Sequence, residues 1–141
     1  MRPWIRLTSR LLPIALLAAA CNFAEDLQTN ETGVARFHEL YNNDQFAKIY
    51  GEATTSFKNV TTEAKVEQLL QAVKRKIGNV QSSNRQSVNV FTSTGSGTTV
   101  NSTYMTKYER GEATESFRFL IDGKKALLIA FNINSPDLVI N

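Results

Sequence analysis

The hydrophobic period of this chain changes once, at Gly78, and that change restricts the folds open to it. Up to Ile77 the apolar residues recur every three to four positions, the spacing of one helix face. After Gly78 they alternate, the spacing of one face of a strand. Helices first and strands afterwards is the pattern of a segregated α+β domain. The interleaved order of a parallel α/β sheet does not fit.

On the helical side, Phe37, Leu40 and Tyr41 predict a short helix, which Asn42-Asn43-Asp44 ends. Asp44 reads as the N-cap of a second short helix carrying Phe46, Ile49 and Tyr50. Phe57 falls in the irregular stretch that follows. Thr61 or Thr62 then caps a long helix whose apolar face is Val66, Leu69, Leu70, Val73 and Ile77. Lys74, Arg75 and Lys76 lie in its last turn, where cations suit the helix dipole, and Gly78 supplies the left-handed residue that ends it. The same basic triplet is also a candidate patch for anionic lipid headgroups, although a solvated helix end accounts for it more simply.

On the strand side, Val80 to Thr94 is polar, with Val88, Val90 and Phe91, and reads as an edge strand. Gly95-Ser96-Gly97 is a turn. Thr98 to Arg110 places Val100, Tyr104 and Tyr108 on one face and Met105 on the other. Ala113 to Ile121 places Phe117, Phe119 and Ile121 together, and Asp122-Gly123 is a strong hairpin signal. In Lys124 to Ile133, strict alternation puts Leu127, Ile129, Phe131 and Ile133 on one face, with Ala126, Leu128 and Ala130 on the other. A strand apolar on both faces is expected to be central or covered on both sides. The predicted architecture is α+β: two short helices and one long one, N-terminal to and packed on a curved antiparallel sheet of about four strands.

The N-terminus has a different character. Arg2, Arg6 and Arg10 precede an apolar run from Leu11 to Ala20, which ends in small residues. The run is too short for the roughly 20 apolar residues of a membrane span and has the three parts of a secretory signal peptide. Leu17-Ala18-Ala19-Ala20-Cys21 resembles the lipobox of bacterial lipoproteins, and Cys21 is the only cysteine in the chain. The resemblance implies that residues 1–20 are removed and that Cys21 becomes an acylated first residue. Asn22, in place of the aspartate that retains such proteins in the inner membrane, implies an outer-membrane location facing the periplasm. Asn22 to Gly33 is polar, has no apolar period and reads as a flexible tether reaching at most about 40 Å. Residues 34–141 remain as one domain. The three signal arginines account for the whole formal charge of +3, so the basic balance gives no support to a nucleic-acid partner.

The order of short helix, Asn-Asn-Asp break, short helix, long helix ending at Ile77-Gly78 and a final Asp122-Gly123-Lys124 hairpin is similar to the cone-shaped α+β fold of nuclear-transport-factor-2-like or cystatin-like proteins. In particular it is similar to small bacterial periplasmic families of unknown function in that group. Such cones often enclose a pocket between the helices and the concave sheet face. That resemblance makes Tyr50, Tyr104 and Tyr108 the candidate pocket residues.

Chemistry is otherwise sparse. His38 is the only histidine, sits off the Phe37/Leu40/Tyr41 stripe and reads as exposed. Glu109 alternates away from Tyr108, whereas Glu115 shares the parity of Phe117 but lies near the strand's open end. No P-loop, Gly-x-Gly-x-x-Gly or Asp-x-Asp calcium loop is present, so no cofactor and no metal are expected. The expected role is a non-enzymatic membrane-anchored module with an envelope protein partner, met through the polar edge strand. The alternative is a small-ligand binder or weak enzyme using the cone pocket.

Overall fold

A computed structural model describes residues 15–140. Of the expected signal peptide, residues 1–14 lie outside the described residues, and Cys21 is described in its backbone only. The elements are α1 (Ala15–Asn42), α2 (Phe46–Gly51), α3 (Thr55–Val60), α4 (Glu63–Ile77), β1 (Val80–Ser93), β2 (Gly97–Tyr108), β3 (Gly111–Asp122), β4 (Lys125–Asn134) and α5 (Asp137–Ile140). The four strands form one antiparallel meander in the order β1-β2-β3-β4, with the helices on one face. The α+β class is as predicted, and β1 is an edge strand as expected.

The tether reading is corrected, because residues 22–33 belong to α1. Their buried face consists of Thr29 and Asn30, followed by Val34, Phe37 and His38 and then Leu40 and Tyr41. The helical period therefore continues upstream of Val34, carried there by polar residues that bond to the sheet.

Asp44 is not the N-cap. It adopts φ 58° in the sharp turn after α1, a conformation an aspartate tolerates better than most residues. Gln45 precedes α2 without a side-chain cap bond, and the Asp44 carboxylate pairs with Lys74 at 2.7 Å. Phe57 lies in α3, which Thr54 caps by accepting from the Phe57 amide, and Thr62 caps α4 by accepting from Lys65. In α4 the buried face is Val66, Leu70, Val73 and Ile77, while Leu69 is half-exposed.

The basic last turn of α4 is divided in purpose. The Lys74 ammonium donates to the carbonyls of Tyr41 and Asn42, closing the C-terminus of α1. The last carbonyls of α4 itself, at Lys74, Arg75 and Lys76, accept from the Arg110 guanidinium. Gly78 ends α4 at φ 85°, where a Cβ would collide with the Glu109 carboxyl.

Strand β4 is an edge strand, not a central one. A β-bulge explains why it reads as apolar on both sides. Arg118 pairs with Ala130, but Phe119 pairs with Leu128, which leaves Ile129 as the extra residue. Parity inverts there, so the residues registered with the inward positions of β3 are Ala126 and Leu128 before the bulge and Phe131 and Ile133 after it. The Leu128 carbonyl, freed at the bulge, accepts from both the backbone and the hydroxyl of Thr54. The start of α3 thus covers part of the edge.

Candidate functional site

Two adjacent stripes of α1 meet the rest of the fold, and they do different things. Asn30, Val34, Phe37, His38 and Tyr41 lie over the sheet. Thr29, Gly33, Arg36 and Leu40 line a groove of about 450 Å³ between α1, α2 and the β3–β4 hairpin.

The groove floor is apolar: Phe37 and Leu40 from α1, Ile49 from α2, Phe119 from β3, and Ala126 and Leu128 from β4. Gly33 lets α1 approach the hairpin closely. A Cβ there would stand 2.6 Å from that of Ala126 and 3.3 Å from the Phe119 ring. Charge is confined to the rim. Arg36 donates to Glu52 at 3.0 Å and to Glu39 at 3.1 Å, and the hydrogen bonds to Glu52 and then Glu39 hold its pKa above the ordinary value. Lys124 and Lys125, from the hairpin turn, complete the rim and form no ion pair among the described residues.

Beneath the other stripe lies a buried polar cluster. The Glu115 side chain is fully buried. One carboxylate oxygen accepts from the Thr106 hydroxyl and lies 2.7 Å from His38 Nε2; the other accepts from the Tyr108 hydroxyl. Burial, and then the nearby Glu115 charge, push the Tyr108 phenol well above its ordinary pKa. About two turns back along α1 from His38, Asn30 donates to the Tyr104 hydroxyl at 3.3 Å and accepts from Ser102 at 3.1 Å. Burial likewise raises the Tyr104 phenol. Outside this row, Arg85 of β1 pairs with Glu31.

The cluster has catalytic residue types but not catalytic access. Both Glu115 oxygens are taken by donors within the fold, and neither His38 nor Glu115 lines the groove. A general base must reach the proton it removes. The arrangement instead fixes α1 to β2 and β3. Among the described residues, no group of three or more His, Cys, Asp or Glu side chains is placed to hold a metal ion.

The three candidate tyrosines do not share a site. Tyr104 and Tyr108 both lie on the helix-facing side of β2 but bond to different partners, Asn30 and Glu115. Tyr50 is at the end of α2, where its hydroxyl donates to the Thr61 carbonyl at 3.4 Å and its ring lies 6.2 Å from that of Phe57. None of the three lines the groove. The space under the helices is filled by aromatic rings, with Phe37, Phe117 and Phe131 in mutual or shared contact at about 5 Å.

The reading of His38 as exposed is corrected: its side chain is 11% exposed and faces Glu115. Its signal was its spacing, four residues after Val34 and three before Tyr41, which puts it within the buried arc rather than off it. The signal for Glu115 was its inward parity with Phe117. The groove rim at Arg36, Lys124 and Lys125 has no linear signal, because α1 and the hairpin that supply it are nearly ninety positions apart.

A family model described as "Protein of unknown function (DUF4019)" matches residues 34–128. That span runs from the middle of α1 to Leu128 and includes most of the groove and the whole Glu115 cluster. No curated protein matches this chain.

Proposed function

The chain belongs to the DUF4019 family, and we propose that it is a lipid-anchored envelope domain that binds its ligand, without transforming it, in the groove between α1, α2 and the β3–β4 hairpin. The observation that carries this reading is the cavity itself: about 450 Å³, apolar in most of its floor and charged only at its rim, within the size range of small-molecule sites. A non-enzymatic role is favoured because the one histidine is engaged with Glu115 and, among the described residues, no histidine or cysteine lines the groove. The β1 edge, expected to dock a protein partner, has register shifts near Gln81 and Gln86 that interrupt its ladder. The groove is therefore the better candidate.

Anchoring at Cys21 rests on the lipobox-like run and on Cys21 being the sole cysteine. Among the described residues no helix is long and apolar enough to cross a membrane. The cone-type fold resemblance supports a cavity on the helical face of the sheet.

Binding is tested with the full chain carrying Cys21→Ser, so that no attached acyl chain competes, and the neutral apolar fluorophore N-phenyl-1-naphthylamine. Saturable one-to-one binding that Thr32→Trp, a bulky residue at the exposed rim, abolishes is the expected result. Binding that is non-saturable or indifferent to Thr32→Trp would overturn the reading. Anchoring is tested by intact mass of the native protein, expected to lack residues 1–20 and to carry acyl mass on Cys21.

A further inference from the structure

The charge on the rim narrows the ligand class. Arg36 lies between Glu39 and Glu52, so its charge is already answered within the fold. Lys124 and Lys125 are not answered in this way among the described residues, and both project from the same tight turn at the mouth. The floor between Phe37, Leu40, Phe119 and Leu128 offers no charged partner. A ligand complementary to this distribution is apolar along its length and anionic at one end.

The position of the mouth narrows it further. Lys124 lines a second depression together with Asn22, Phe23, Glu25 and Asp26 at the start of the described part of α1. The groove mouth and the anchor end of α1 are therefore on the same side of the molecule. Buried contact of α1 with the sheet begins at Thr29 and Asn30, so only eight helical positions, roughly 12 Å of rise, separate Cys21 from the first docked residue. The domain stands close to its anchor on a docked helix. At this end Phe23 and Phe91 are 50% and 57% exposed, an apolar presentation suited to a lipid surface. Glu25 and Asp26 flank the second depression and repel an anion there, which leaves the groove side of Lys124 as the place for the head.

Resting on the groove reading above, we infer that the groove takes an amphiphile with a single acyl chain and an anionic head, entering from the membrane side with the head on Lys124 and Lys125. The chain lies on the Phe37–Leu128 floor.

The test uses the full chain carrying Cys21→Ser, with dodecanoate, dodecanol and dodecyltrimethylammonium displacing N-phenyl-1-naphthylamine. Dodecanoate is expected to bind roughly tenfold more tightly than dodecanol at low salt, with the gap closing at high salt as the lysine charges are screened. Lys124→Gln combined with Lys125→Gln removes that preference. Equal affinities for dodecanoate and dodecanol, or tighter binding of the cationic amphiphile, overturn the anionic-head inference while the groove reading stands. Failure of all three to bind overturns both. Native mass spectrometry with dodecanoate and, separately, lysophosphatidylglycerol distinguishes a free acid from a lipid headgroup as the source. Either adduct supports the inference if the double lysine variant loses it, and equal occupancy by lysophosphatidylcholine refutes it.

Discussion

Glu115→Gln is the most informative perturbation of the fold, because it keeps the shape of the side chain and removes only its charge and one acceptor. In the native domain the buried carboxylate makes three contacts, with His38, Thr106 and Tyr108. Hydrogen bonds to a charged group contribute about 1.5–3 kcal/mol each and neutral ones about 0.5–1.5 kcal/mol, so removing the charge costs about 1 kcal/mol per bond. The new amide NH₂ must also face either Tyr108 or the His38 and Thr106 pair, and the hydroxyl it displaces loses its acceptor at about 1 kcal/mol or more. The expected loss is about 3–4 kcal/mol. Measured by urea unfolding followed by far-ultraviolet circular dichroism, it corresponds to a fall in Tm of roughly 10–20 °C for a domain of this size. The reasoning also fixes a control. Replacing the whole cluster with apolar residues of similar volume, His38→Leu, Thr106→Val, Tyr108→Phe and Glu115→Leu together, leaves no unsatisfied donor among these four side chains, and the Ser83 hydroxyl that bonds Thr106 is only part-buried and turns to water, so most of the loss should be recovered. A Glu115→Gln protein within about 1 kcal/mol of the native one would refute the account, as would a quadruple variant less stable than the single one.

Gly33→Ala sets two effects against each other. Alanine gains about 1 kcal/mol of helix propensity, but its Cβ would stand 2.6 Å from that of Ala126, and overpacking of that kind costs about 1–3 kcal/mol. Net destabilisation near 1 kcal/mol is expected, with recovery in Gly33→Ala/Ala126→Gly; a stabilised Gly33→Ala would show that α1 does not approach the hairpin this closely. The tyrosines set the alkaline limit of stability. Burial raises the phenols of Tyr41, Tyr104 and Tyr108, and a group whose folded pKa is raised contributes stability that is complete below its unfolded value, about 10, and is lost as pH rises through the folded one. Tyrosinate absorbance of these three should therefore appear together with loss of circular dichroism above that pH, and smooth ionisation in an intact fold would contradict the prediction.

The parts of the fold legible in the sequence were those written in apolar periodicity. The α4 face apart from Leu69 and the Val100–Tyr104–Tyr108 parity needed no more than that pattern, while Gly95, Gly97 and Gly123 marked two of the hairpin turns. The missed parts share a physical cause. Asn30 and His38 complete a helical stripe that is buried against polar partners on the sheet, so a pattern counted in apolar residues stops at Val34. One extra residue at Ile129 inverts the faces of β4, and nothing in an evenly apolar run marks where it falls. Asp44 has the composition of a cap, but the turn required a left-handed residue at that position.

The same polar stripe bears on the candidate site. Apolar contact is non-directional, so Phe37, Phe117 and Phe131 alone would let α1 slide or roll on the sheet at little cost. Asn30 on Ser102 and Tyr104, and His38 on Glu115, tolerate no such displacement, because each step would leave a buried donor or acceptor without a partner. These bonds fix the rotation of α1 about its axis, and that rotation decides which stripe faces the hairpin. With α1 held so, Gly33 rather than a larger residue meets Ala126, and Arg36 and Leu40 line open space instead of filling it. The closed cluster and the open groove are thus two consequences of one helix orientation. A variant that loosens the first, such as Glu115→Gln, should weaken binding in the second even though Glu115 does not line the groove.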